Sequence, residues 1–123
     1  MVLVDTSVWV DHLRAGNEEL VELLRAGEVA CHPLVIGELA CGAIANRQTV
    51  LGLLSALPVL AKAQDAEVIE FIDRHRLMGK GLGLVDVHLL ASSMLASVPL
   101  WTRDRTLAAA ASRLGVGWAK GGR

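Results

Sequence analysis

Aromatic side chains are scarce: the 123 residues include no tyrosine, one phenylalanine and three tryptophans. Stacking unpaired nucleic-acid bases needs exposed aromatic platforms, and Trp9, Trp101, Trp118 and Phe71 are expected mostly in the core, which leaves little for that mode of recognition. Cysteine is equally rare. Cys31 and Cys41 show neither a CxxC spacing nor a second pair, which argues against zinc and a disulfide framework and for two buried free thiols. No run approaches the roughly 20 unbroken apolar residues of a membrane helix, and Asp5 stands where a signal peptide would carry positive charge. The expectation is a cytoplasmic protein with no membrane association.

What is abundant is apolar aliphatic sequence, with 53% hydrophobic residues and a mean hydropathy of +0.46. That excess predicts elements buried on both faces, or a hydrophobic surface for a partner. The length predicts one domain over residues 1–123 with a sizeable core. Val2 to Val4 reads as a strand, and Thr6 and Ser7 as N-cap chemistry for a helix to about Arg14. Asn17 caps a second helix with a Leu20, Val21, Leu23, Leu24 stripe that stops at Gly27. A second strand spans Glu28 to His32, and Pro33 opens a helix to about Ala45. A helix over Gln48 to Leu57, a short strand at Val59 to Ala61 and a helix from Asp65 to Met78 follow, the last with charges placed as its dipole favours. The glycines at 79, 81 and 83 form a loop before a helix from about Val85 to Ser97. Pro99 to Thr102 is a strand, Asp104 opens a helix that Gly115 ends, and Val116 to Ala119 is a candidate final strand before a loose tail. Alternation of this kind predicts an α/β fold with a mostly parallel sheet covered on both faces.

Charge is unevenly spread. Residues 1–73 hold 11 acids against 4 Lys/Arg, whereas residues 74–123 hold 8 Lys/Arg against Asp86 and Asp104 alone. Four acids stand where an apolar run meets a helix: Asp5 in VLVDTSVW, Glu38 in PLVIGELACG, Asp86 in GLGLVDVHLLASS and Asp104 in PLWTRDRTL. A carboxylate taken out of water needs pairing or a metal, and no Lys or Arg lies in the segments around Asp5 or Glu38. Glu38 sits in a helical run that reads as apolar on every face. A right-handed α/β topology aims all four at the carboxyl edge of the sheet, where ligands bind. Singly, Asp104 and Asp86 also read as helix caps. Jointly, the four read as a site for a hard cation, Mg²⁺ or Mn²⁺. With a metal neutralising these four, the remaining balance is 12 basic to 9 acidic groups, which makes a polyanion a plausible partner. Thr6, Ser7 and Thr102 lie beside the acids and suit either capping or the orientation of a carboxylate. His12, His32, His75 and His88 are scattered singly and read as surface or packing residues.

VLVDTSVW, GELACGA, GLVDVHLLA and LWTRDRTL, in this order, resemble the acidic motifs of PIN-domain nucleases, and the compact length resembles the VapC toxins of bacterial toxin–antitoxin pairs. The resemblance spans nearly the whole chain. It implies a three-layer α/β/α sandwich and a Mg²⁺-dependent endoribonuclease in which Mn²⁺ can substitute. It also implies a structured RNA substrate such as tRNA and a cognate antitoxin. By position it implies that Asp5, Glu38, Asp86 and Asp104 bind metal, with Thr6 or Ser7 and Thr102 as polar supports.

The chemistry follows from the residue types as well. Phosphodiester hydrolysis needs an activated water and charge cancellation on phosphate, which divalent metal supplies, and Arg103, Arg105, Lys80 and the Arg74 to Arg76 cluster suit RNA backbone. The helices around Leu20 to Leu24 and Val50 to Leu57 are candidate walls of an antitoxin groove, and the apolar excess suggests a homodimer. A haloacid-dehalogenase-like phosphatase would need a second Asp two residues after Asp5, where Ser7 stands. A receiver domain would need an acid within Pro58 to Gln64, which has none. A catalytically inactive PIN-like scaffold used for binding stays open.

Overall fold

A computed structural model describes residues 1–119; the expected tail, and the end of the expected domain at residue 123, lie outside the described residues. In chain order the elements are β1 (Val2–Val4), α1 (Thr6–Ala15), α2 (Glu18–Arg25), β2 (Val29–Ala30), α3 (Pro33–Cys41), α4 (Arg47–Ala56), α5 (Asp65–His75), α6 (Leu84–Ala96), β3 (Leu100–Trp101) and α7 (Arg105–Arg113).

The strands form a parallel sheet in the order β2-β1-β3. Leu3 is the central rung, paired with Ala30 on one side and Leu100 on the other. Successive strand residues point to opposite faces, and Val2, Leu3 and Val4 are all buried, so helices cover both faces. That is the three-layer α/β/α arrangement. Helix α6 is the most enclosed of the helices, with every residue from Val87 to Ser93 buried.

Two expected strands shrink to single rungs. Val59 bridges only Cys31, and Gly117 only Leu100, each in parallel. The segments around them are too short to sustain a ladder, although each extends the sheet at one edge. The strands around β2 and β3 are likewise shorter than Glu28–His32 and Pro99–Thr102.

Helix boundaries also move. α3 stops at Cys41 rather than near Ala45, because Gly42 leaves the helix in extended backbone. That stop exposes Cys41 while Cys31 stays buried, which corrects the expectation of two buried thiols. α5 stops at His75 rather than Met78: Arg76 takes φ 53°, and the Leu77 N–H returns to the Ile72 carbonyl at 3.0 Å, burying Leu77. Trp9 is buried, and Phe71, Trp101 and Trp118 pack half-buried against the core.

Candidate metal and RNA-cleavage site

The order β2-β1-β3 places a topological switch at β1, because the two strands that follow it in the chain lie on opposite sides of it. The place expected for a ligand crevice is therefore beyond the carboxyl ends of β1 and β3. Asp5 follows β1 directly, and Thr102, Arg103 and Asp104 follow β3.

Asp5 is the anchor. Its residue exposure is 6%, and it, rather than Thr6 or Ser7, is the N-cap of α1. Oδ1 accepts the Thr6 N–H at 2.8 Å. Oδ2 accepts the Ser7 hydroxyl at 2.8 Å and the Thr102 hydroxyl at 2.7 Å. Both hydroxyl protons are committed to Asp5, so the hydroxyl oxygens are free to accept: Ser7 Oγ takes the Arg103 N–H and Thr102 Oγ1 the Asp104 N–H, each at 3.0 Å. Two main-chain amides after β3 thus feed two hydroxyls that converge on one carboxylate. An ionised carboxylate offers about four acceptor positions, and three are in use, which leaves room on Oδ1.

Asp104 caps α7 by accepting the Leu107 N–H at 3.0 Å. Asp86, in the first turn of α6, accepts the Gly83 N–H through Oδ2 at 3.0 Å. Burial first, then the negative charges of Asp5 and Asp104, push the Asp86 carboxyl above the ordinary carboxylate range, and the Gly83 hydrogen bond pulls the other way. Asp86 therefore feels both Asp5 and Asp104.

Glu38 differs from its expected setting. The run that reads as apolar on every face buries only Val35 and Leu39 on α3, and Glu38 lies on the exposed side. Its one side-chain partner is the Thr6 hydroxyl, which donates to Oε1 at 2.6 Å. Thr6 and Ser7 thus divide the supporting work between Glu38 and Asp5. Among the described residues, no three His, Cys, Asp or Glu side chains are placed to hold one ion as they stand. None of the four acids joins a salt bridge there either. The donor chemistry nonetheless fits a hard divalent cation, since all four groups are carboxylates.

Two further contacts carry no signal in the sequence. Asp11, on α1, accepts from the Arg103 guanidinium at 3.0 Å and from Asn17 at 3.3 Å. Arg103, expected on RNA, is thereby tied back to α1. Beneath the crevice His32 is fully buried. Its Nδ1 caps α3 by accepting the Leu34 N–H at 3.0 Å, so its Nε2 is the protonated nitrogen and faces Ser92 Oγ on α6 at 3.0 Å. Ser92 passes its own proton to the Ala61 carbonyl at 2.8 Å. Burial, then the nearby His88 and Lys62 charges, lower the His32 pKa to about 4. The helices that carry Glu38 and Asp86 are thus joined through a neutral imidazole.

Known proteins resemble this chain in sequence and in fold. The chain is 50% identical over 121 residues, 98% of either chain, to Ribonuclease VapC32 of Mycobacterium tuberculosis, in strains CDC 1551 / Oshkosh and H37Rv alike. Among solved structures it resembles a toxin–antitoxin complex from Klebsiella pneumoniae, with TM-score 0.64 and 25% identity over 85% of this chain and 87% of that one. The fold also matches FitAcB from Neisseria gonorrhoeae, with TM-score 0.65 and 22% identity over 91% and 94% of the two chains. Residues 2–112 match the PIN domain as a family, and the chain belongs to the PIN-domain family.

Proposed function

We propose that this PIN-domain chain is an endoribonuclease dependent on Mg²⁺ or Mn²⁺, the toxin of a toxin–antitoxin pair, acting on structured RNA. The observation that carries the reading is the convergence of the Ser7 and Thr102 hydroxyls on the buried Asp5 carboxylate, with Glu38 held beside it by Thr6. The kinship with a protein named as a ribonuclease supports the same assignment.

Asp5, Glu38, Asp86 and Asp104 would hold the cation, with Ser7 and Thr102 orienting Asp5 and Thr6 orienting Glu38. Bound there, the divalent ion would supply charge neutralisation at the phosphate and acidify a water. Asp86, whose Oδ1 has no hydrogen-bond partner among the described residues, would be the proton acceptor. No pair of histidines flanks the crevice, so water rather than the RNA 2′-hydroxyl is the nucleophile. In-line attack on phosphorus breaks the bond to the 3′-oxygen and leaves 5′-phosphate and 3′-hydroxyl ends. The test is to incubate RNA with Mg²⁺ or with EDTA and map the ends by ligation. Cyclic phosphates or EDTA-resistant cutting would refute the mechanism.

The antitoxin surface is a groove of about 290 Å³ lined by apolar side chains of α1, α2 and α4, among them Leu13, Leu24, Val50 and Leu53. Leu53 is 65% exposed, which suits an apolar helix face. Leu20, expected as a wall, is core instead. Ile69 and Leu95 are left exposed elsewhere and offer a second copy of the chain a surface to cover, in keeping with a homodimer. Leu53→Asp should abolish co-purification with an antitoxin encoded beside this gene, and light scattering at micromolar concentration should report a dimer.

A further inference from the structure

Between the loop of residues 79–83 and α7 lies a cavity of about 450 Å³. Lys80, Arg105 and Arg113 line it together with Leu82, Ala109 and Ala110, and no acid does. All three cations are exposed. Arg113 donates to the His75 main-chain carbonyl at 3.0 Å, which fixes its place and leaves its charge intact. Lys80 and Arg105 join no salt bridge among the described residues.

Each wall of the cavity continues along the chain into an acid of the candidate site. The loop ends at Gly83, whose N–H holds Asp86, and α7 begins just after Asp104. The loop also lies close along α7: a Cβ at Gly81 would stand 3.7 Å from Thr106 Cγ2, and Gly81 has φ +79°. A concave surface with three cations and no anion has its electrostatic complement outside this chain, in a polyanion. Its volume is that of a small-ligand site, enough for a nucleotide.

We propose that this cavity is the track for the RNA strand on one side of the cleaved phosphate. Lys80 and Arg105 take backbone phosphates of adjoining nucleotides, Arg113 adds charge behind them, and the aliphatic floor receives sugar and base. Such contacts position a strand without reading its sequence, which fits a chain so poor in aromatics. Arg103, tied to Asp11, is not part of the track. That the polyanion is RNA rests on the ribonuclease reading.

The experiment is fluorescence anisotropy with a labelled RNA oligonucleotide in EDTA, which keeps the strand uncut. Wild type is compared across salt with the Lys80→Ala/Arg105→Ala variant and with Arg14→Ala/Arg25→Ala, whose residues do not line the cavity. Each phosphate contact with a single strand contributes about 0.7 to the slope of log affinity against log salt, so removing two cations should make it shallower by about 1.4. The control pair should keep the wild-type slope. An unchanged slope in the cavity variant, or an equal loss in the control, would overturn the track. So would a variant that keeps its RNA affinity and loses binding to a polyglutamate peptide, which would assign the cavity to an acidic protein segment. The two readings fail separately. RNA bound with the expected slope and never cut in Mg²⁺ would remove the ribonuclease and keep the track, whereas cutting with no slope change would do the reverse.

Discussion

Asp5 and Glu38 serve the same crevice from opposite mechanical situations. Asp5 is buried and holds three hydrogen bonds from side chains and backbone on both sides of the sheet's central pairing. Glu38 is exposed and holds one, from Thr6. The contrast teaches that the site has a fixed half, made of Asp5, Ser7 and Thr102, and an adjustable half, in which Glu38 and Asp86 can turn to meet an ion.

Removing the charge of the fixed half should have the largest effect. Asp5→Asn should lower RNA cleavage by about 10²–10⁴-fold, the several kcal/mol of charge stabilisation a metal supplies. The fold should survive, because Asn caps a helix as well as Asp does. Cleavage rates and a thermal melt check both halves of the statement.

His32 tests whether the base of α3 is rigid while its far side is free. Its pKa falls from 6.5 to about 4 on folding, so the unfolded chain takes up the proton first. The stability supplied by neutral His32 is complete above about pH 6.5 and lost as the pH falls toward 4, on the order of 3 kcal/mol in all. His32→Asn retains a capping oxygen and has nothing to titrate. It should be less stable at pH 7, with a flatter dependence of melting temperature between pH 4 and 6.5.

Thr102→Val removes one hydroxyl from Asp5 and strands the Asp104 N–H. Loss of such a support should weaken metal affinity by about 10–100-fold, measured by Mn²⁺ titration. Asp104→Asn keeps the cap of α7 and should cost least, within about tenfold in rate, or about 1.4 kcal/mol.

Much of the fold was legible in the sequence because it rests on local chemistry. β1 is an apolar run, Asn17 caps α2 as expected, accepting the Leu20 N–H at 3.0 Å, and helices separate the parallel strands. Errors arose where tertiary context decides. Val59 and Gly117 find only one rung each, and no local pattern reveals how long a parallel ladder will be. Glu38 misled because apolar composition was taken for burial, whereas only the side bearing Val35 and Leu39 packs inward. The four acids were visible as residue types at strand and helix ends. Their partners were not: Ser7 and Thr102 are 95 residues apart, and the contact of Asp11 with Arg103 spans 92.

The most direct test of a shared cation site is a thermal melt of wild type and Glu38→Gln with and without Mn²⁺. An ion that binds only the folded chain raises its stability, and relief of repulsion among Asp5, Asp86 and Asp104 adds to the effect. The account predicts an upward shift in wild type that Glu38→Gln blunts, although Glu38 is exposed and its substitution barely alters the metal-free melt. Equal shifts in the two proteins, or none in wild type, would contradict it.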